Sequence, residues 1–200
     1  MPPITDISQL DLNGTYTVAD YLSWQFDELV QLVRGKVVRM SPAPRDTHAA
    51  YALKMVGALL GPLKGGMCTL RFAPYDVYLP TQDGRTTIVQ PDILIVCQPE
   101  KLQEKGCMGA PDWVCEIVSP GSFKLDTVIK KELYAEAGVP EYCILHPGDK
   151  VVEVYRLAPG AAAYGEPEVL GLHGQSWELA SVPGVIITYN ELFGEPDYTL

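Results

Sequence analysis

The chain has 200 residues, 47% of them hydrophobic and 20% charged, a balance that excludes a disordered or collagen-like chain and makes one globular domain the default at this length. Its 15 Lys and Arg against 25 Asp and Glu give a net charge of −10, which argues against a polyanionic partner unless the cations are clustered. No apolar run approaches the roughly 18 residues of a membrane span, and Met1 to Asp11 lacks the basic start and apolar core of a signal peptide, so a cytoplasmic protein without a membrane partner is expected.

Thr17 to Phe26 reads as a short helix, capped by Thr15 or Thr17 and carrying Val18, Tyr21, Leu22 and Phe26 at helical spacing. Val30 to Met40 reads as strand, turning at Arg34-Gly35. Ser41-Pro42-Ala43-Pro44 must be loop. Asp46 or Thr47 can cap a helix over His48 to Leu63, with Ala52, Met55, Val56, Leu59, Leu60 and Leu63 on one apolar face. Cys68 to Leu79 and Thr86 to Cys97 read as two strands paired around Thr81-Gln82-Asp83-Gly84. Trp113 to Val118 is a further strand, Phe123 to Ala137 a helix ended by Gly138, and Glu141 to Leu145 and Val151 to Leu157 two more strands. From Ala158 the chain becomes rich in Gly, Ala and Pro, with one strand near Glu168 to Leu172 and a last short segment around Val185 to Phe193. The order predicts a mixed α/β (α+β) domain over 1–200, its core at about 17–157 with an acidic extension over 158–200. One central sheet is covered by helices. Val151 to Leu157 is expected at an exposed edge, where a second copy could pair to make a homodimer.

Five scattered cysteines with no C-x-x-C pair read as free thiols rather than a disulfide framework or a zinc site. The cations are unevenly placed. Arg34, Lys36, Arg39, Arg45, Lys54, Lys64 and Arg71 face a single acid between Leu29 and Tyr75, and no Lys or Arg follows Arg156. That basic stretch is either a phosphate-facing surface or a solvated face without function.

The strongest anomaly is a pair of acids inside apolar strands. Asp92 precedes four consecutive aliphatics, and Glu116 is the only charged residue of Trp113 to Val118. Such runs mark strands covered on both faces, where an unpartnered carboxylate costs several kcal/mol. Each acid therefore needs a cation, a hydrogen-bond set or a raised pKa. On neighbouring strands the two could converge on Mg²⁺ or Mn²⁺; alternatively Asp92 caps a turn and Glu116 pairs with a lysine. Asp126, Lys130 and Tyr134 share one helix face, so Lys130 can reach inward or form an ordinary surface pair with Asp126. His48 opens its helix where anions are favoured, as a phosphate contact, a proton relay or a structural residue. G-x-S-x-G, Walker-type and G-x-G-x-x-G motifs are absent.

Taken in order, Leu32-Val33-Arg34-Gly35-Lys36-Val37 through Met40-Ser41-Pro42, His48, Pro91-Asp92, Glu116-Ile117-Val118-Ser119-Pro120, Asp126, Lys130, Tyr134 and Gly138-Val139-Pro140-Glu141-Tyr142 resemble the Uma-two family of restriction-endonuclease-like proteins, from about Thr17 to Leu157. The resemblance implies the PD-(D/E)xK nuclease superfamily, with a central mixed sheet flanked by helices. It implies Asp92 and Glu116 as catalytic metal ligands and Lys130 as the catalytic lysine, since Val118 stands where that lysine usually lies. His48 and Arg45 would contact substrate phosphate, and Gln31, Asp126 and Tyr134 would support the site. Where the family commonly has a Glu this chain has Gln31, which supplies no charge; Glu28, three residues away along a strand, points to the opposite face. The expected activity is metal-dependent hydrolysis of DNA. The alternatives are a catalytically silent dimeric module and a hydrolase of another phosphate ester.

Overall fold

The computed structural model describes residues 3–40 and 46–194. Helix α1 (Val18–Ser23) is capped by Thr17, whose hydroxyl accepts from the Asp20 N–H at 3.2 Å while its own N–H donates to the Asp20 carboxylate at 2.8 Å. It ends three residues early because Trp24 turns extended and packs its indole on Tyr16, Tyr21 and Phe26. Strands β1 (Val30–Val33) and β2 (Lys36–Arg39) form the expected hairpin. Arg34 and Gly35 both take positive φ, 50° and 77°, which suits a two-residue turn. The Ser41–Pro44 loop and Arg45 lie outside the described residues. Helix α2 (Asp46–Leu63) turns Met55, Ala58 and Leu59 inward, but Leu60 is 57% exposed and leaves the expected apolar face.

Proline divides the next stretch. Pro74 and Pro91 have no N–H for a ladder, and each expected strand becomes two: β3 (Thr69–Phe72) with β4 (Val77–Leu79), and β5 (Thr87–Val89) with β6 (Ile93–Val96). The chain then forms β7 (Leu102–Gln103), β8 (Gly106–Met108) and β9 (Trp113–Ile117). A π-helical turn, Leu125–Lys130, runs into α3 (Lys131–Ala137), followed by β10 (Glu141–His146) and β11 (Val151–Arg156). The C-terminal part holds β12 (Glu168–Leu170), β13 (Ser176–Glu178), β14 (Ile186–Thr188) and α4 (Tyr189–Phe193).

Instead of one central sheet there are two six-stranded sheets, ordered β2-β1-β5-β4-β8-β7 and β12-β11-β10-β9-β6-β3, with β13 and β14 as a separate pair. Both large sheets are mixed, since β4 runs parallel to β8 and β9 parallel to β10. The second sheet is the middle layer. One of its faces, with Ile93, Ile95, Trp113 and Cys115, packs on α2 and on Trp177, Leu179, Ile187 and Phe193. The other, with Leu94, Val96, Val114 and Tyr142, packs on α3 and on Val77 and Val89 of the first sheet. Strands buried on both faces explain the unbroken aliphatic run after Asp92. β11 is not an edge: β12 covers it, Val152 opposite Leu170, so the expected route to a homodimer is closed.

The cysteine expectation also fails in part. Antiparallel pairing sets Thr69 opposite Val96, which brings the adjacent Cys68 and Cys97 together as a disulfide. Cys107, Cys115 and Cys143 are free and buried, as expected.

Arg34 ties the first hairpin to α3. Its guanidinium forks onto the Glu136 carboxylate and reaches Asp83 at 3.0 Å, while the Gln82 N–H donates to Glu136 at 2.6 Å. These bonds hold the Glu136 pKa below the usual range. A depressed pKa contributes stability that is present above the unfolded value and lost as pH falls through the folded one. Glu136→Gln is therefore expected to cost about 1 kcal/mol at pH 7, a difference from the parent that shrinks below about pH 4.5. Urea unfolding at pH 7 and pH 3.5 checks it.

Candidate active site

Glu116 lies on β9, Asp92 just before β6, and the antiparallel register, Ile93 opposite Cys115, sets them across from one another on the face toward α3. Both are held by one oxygen. Asp92 Oδ2 accepts from the Ile117 N–H at 2.7 Å and faces His48 Nε2 at 3.1 Å. Glu116 Oε1 accepts from Lys130 Nζ at 2.9 Å and from the Tyr134 hydroxyl at 2.7 Å. The other oxygens are spare: Glu116 Oε2 has only the Asp92 N–H at 3.4 Å, and Asp92 Oδ1 accepts no protein hydrogen bond among the described residues.

The ammonium of Lys130 also lies 3.4 Å from Asp126 Oδ1, and Lys130, Glu116 and Asp126 are each at most 3% exposed. The expected helix over Phe123 to Ala137 is widened here into a π-helical turn, where Tyr142 donates its hydroxyl to the Asp126 carbonyl at 2.9 Å, a partner outside the helical ladder. Tyr142 has no charge and no helical or strand period that marks it as part of the site, so sequence reasoning missed it. Its one signal is its place in the Gly138 to Tyr142 motif.

Burial dominates the electrostatics. It pushes the Glu116 carboxyl up to about 8, with Asp126 and Asp92 adding to the rise and Lys130 opposing it. Asp126 is raised by burial as well. Burial opposes the charge on Lys130, but the surrounding carboxylates outweigh it and raise the ammonium's pKa. His48 is raised, first by its hydrogen bond to Asp92. Lys130 is therefore protonated at neutral pH and can donate or stabilise charge but not act as a base.

The structure thus brings together His48, Asp92, Glu116, Asp126, Lys130 and Tyr134. Gln31 is buried and its Oε1 has no partner. It shares a β1 face with Val33, which packs against the cluster containing Tyr134, so it looks toward the same layer without touching the carboxylates. Glu28 pairs instead with Arg39 at 3.7 Å, on the surface. Among the described residues, no Lys or Arg of the basic stretch bonds to Asp92, Glu116 or Asp126. Arg34 and Arg39 are paired with acids, Lys36 with the Asn13 and Gly14 carbonyls, Lys54 with the Gly194 carbonyl, and Arg71 with its neighbour's carbonyl.

No group of three or more His, Cys, Asp or Glu side chains converges to hold a metal among the described residues. Two spare oxygens on facing carboxylates nonetheless suit Mg²⁺ or Mn²⁺, which are commonly held by one or two carboxylates and otherwise by water and substrate oxygens. The donor set is hard and anionic. No helix among the described residues is long and apolar enough to cross a membrane.

The fold is similar to the crystal structure of a "putative nuclease belonging to DUF820" from Anabaena variabilis ATCC 29413, with a TM-score of 0.70, 20% identity, and coverage of 88% of this chain and 97% of that one. That likeness assigns the restriction-endonuclease-like fold. No curated protein matches the chain. The Uma2 family, described as "Putative restriction endonuclease", matches residues 18–190, a span that takes in every element from α1 into α4 and all six clustered side chains, and the chain belongs to that family.

Proposed function

We propose that the chain is a PD-(D/E)xK-type endonuclease that hydrolyses DNA phosphodiester bonds with Mg²⁺ or Mn²⁺, using Asp92, Glu116 and Lys130. The observation that carries this reading is the arrangement of Asp92 and Glu116 on neighbouring strands, each anchored firmly by one oxygen, beside a buried ammonium. A bound divalent cation would supply positive charge to the phosphoryl oxygens and acidify water. The chain's own residues do the rest. Lys130 sets charge next to the reacting oxygens, Tyr134 fixes the Glu116 carboxylate, and His48 holds Asp92 from the start of α2.

Plasmid nicking with Mg²⁺ and Mn²⁺, beside hydrolysis of a small aryl phosphodiester, tests the proposal. Metal-dependent nicking supports it. Hydrolysis of the small diester alone would assign another phosphate ester, and turnover of neither by a folded, metal-binding protein would leave a silent module. Because Arg34 and Arg39 of the basic stretch are paired with acids, DNA affinity is expected to depend only modestly on salt, with a log–log slope of about −3 or shallower. Fluorescence anisotropy across a salt series reads it, and a slope beyond about −5 would return the basic stretch to the interface. An assembly of two copies fits this reading, on a surface other than β11.

A further inference from the structure

Helix α2 is apolar almost all the way round, which is the pattern of a buried helix, yet only one side of it is covered. Met55, Ala58 and Leu59 face the core, while Leu53 is 73% and Leu60 57% exposed. Isolated exposed leucines need no explanation. These two lie in a stripe of exposed residues, Asp46, Ala50, Leu53, Gly57 and Leu60 on the helix and Lys64 in the turn that follows it, with steps of four, three, four, three and four residues. That is the alternation of a coiled-coil seam. A Cβ added at Gly57 would meet nothing within 4 Å, so the glycine is not required by packing within the chain, although it weakens the helix.

The stripe is complementary to itself when reversed. Laid antiparallel on a second copy about a centre at residue 55, it sets Leu53 against Gly57, Leu60 against Ala50, and Asp46 against Lys64. Each large side chain meets a small one and each acid a base, and the relation is reciprocal, as a two-fold interface demands. A parallel pair would instead set Leu against Leu, Asp46 against Asp46 and Lys64 against Lys64. We propose that two copies of this chain associate through an antiparallel α2–α2 interface centred on Leu53 and Gly57. His48 opens the same helix but turns toward Asp92, so the interface leaves the cleft accessible.

An 18-residue helix spans about 27 Å, a contact below the standard interface size, so reversible association in the micromolar range is expected. Sedimentation velocity over about 1 to 100 µM tests it on the full chain, with circular dichroism showing that each variant is folded. The parent should move from monomer to dimer across that range. Leu53→Glu and Gly57→Leu should each weaken association at least about tenfold, by burying a charge and by filling the groove that receives the partner's leucine. Asp46→Lys should weaken it and Asp46→Lys with Lys64→Asp should restore it, because only the antiparallel register sets these two positions together. A monomer at every concentration, a dimer indifferent to Leu53→Glu, or a double exchange that fails to restore association would each overturn the proposal.

Discussion

Lys130→Met is expected to destabilise the metal-free protein by about 3–5 kcal/mol and to reduce metal-dependent cleavage by about 10²–10³-fold. The ammonium is almost fully buried between Glu116 and Asp126, so removing it leaves two carboxyls facing each other without a cation. They must take up protons or share a divalent ion. Metal binding should therefore survive in the variant, and Mn²⁺ at a hundred times its dissociation constant should return about 2.7 kcal/mol of stability. Urea unfolding with and without Mn²⁺, followed by nicking assays on the metal-loaded variant, separates the two effects. A loss below about 1 kcal/mol would mean that the pair is open to water. Cleavage at the parent rate by a folded variant would remove Lys130 from the chemistry.

Glu116→Gln is expected to weaken Mn²⁺ binding by on the order of 10²-fold or more, since even outer partners of a metal site cost 10–100-fold. Tyr134 and Lys130 can still donate to the amide oxygen, so the shape of the cleft is kept while its charge is lost. In the parent, burial pushes the Glu116 carboxyl up to about 8 against the opposing pull of Lys130, so below that pH the metal-free site is expected to hold a proton there. A cation must displace that proton, so affinity should rise about tenfold per pH unit from about 6 to about 8 and then level off. The sign for folding is the reverse. A raised carboxyl favours the folded state fully below its unfolded value near 4.5, and that contribution fades as pH rises through about 8. Calorimetry on parent and variant over this range, in buffers of different ionisation enthalpy, reads both affinity and proton release. Flat affinity in the parent would show Glu116 already ionised by Lys130.

Much of the site was legible because it violates local rules. A lone acid in a run of aliphatics has no cheap explanation, and that anomaly singled out Asp92 and Glu116 before any pairing was known. Four-residue spacing alone put Asp126, Lys130 and Tyr134 on one helix face, and periodicity located α2, β9, β10 and β11. Less visible were the features that depend on which segments meet. Residues 68 and 97 are cysteines with nothing between them to suggest a bond, until β3 and β6 pair in the one register that sets them opposite.

The sequence by itself determined the mixed α/β class, the hairpin at Arg34-Gly35, and the residues whose burial had to be compensated, because these follow from spacing, backbone propensity and the cost of desolvating charge. Only the tertiary structure decided that prolines split the strands into two sheets, that β12 covers β11, that Arg34 is taken up by Asp83 and Glu136, and that Tyr142 bonds to the turn carrying Asp126 and Lys130. Each of these is a contact between segments distant in the chain, set by packing and register, for which local sequence carries no periodic signal.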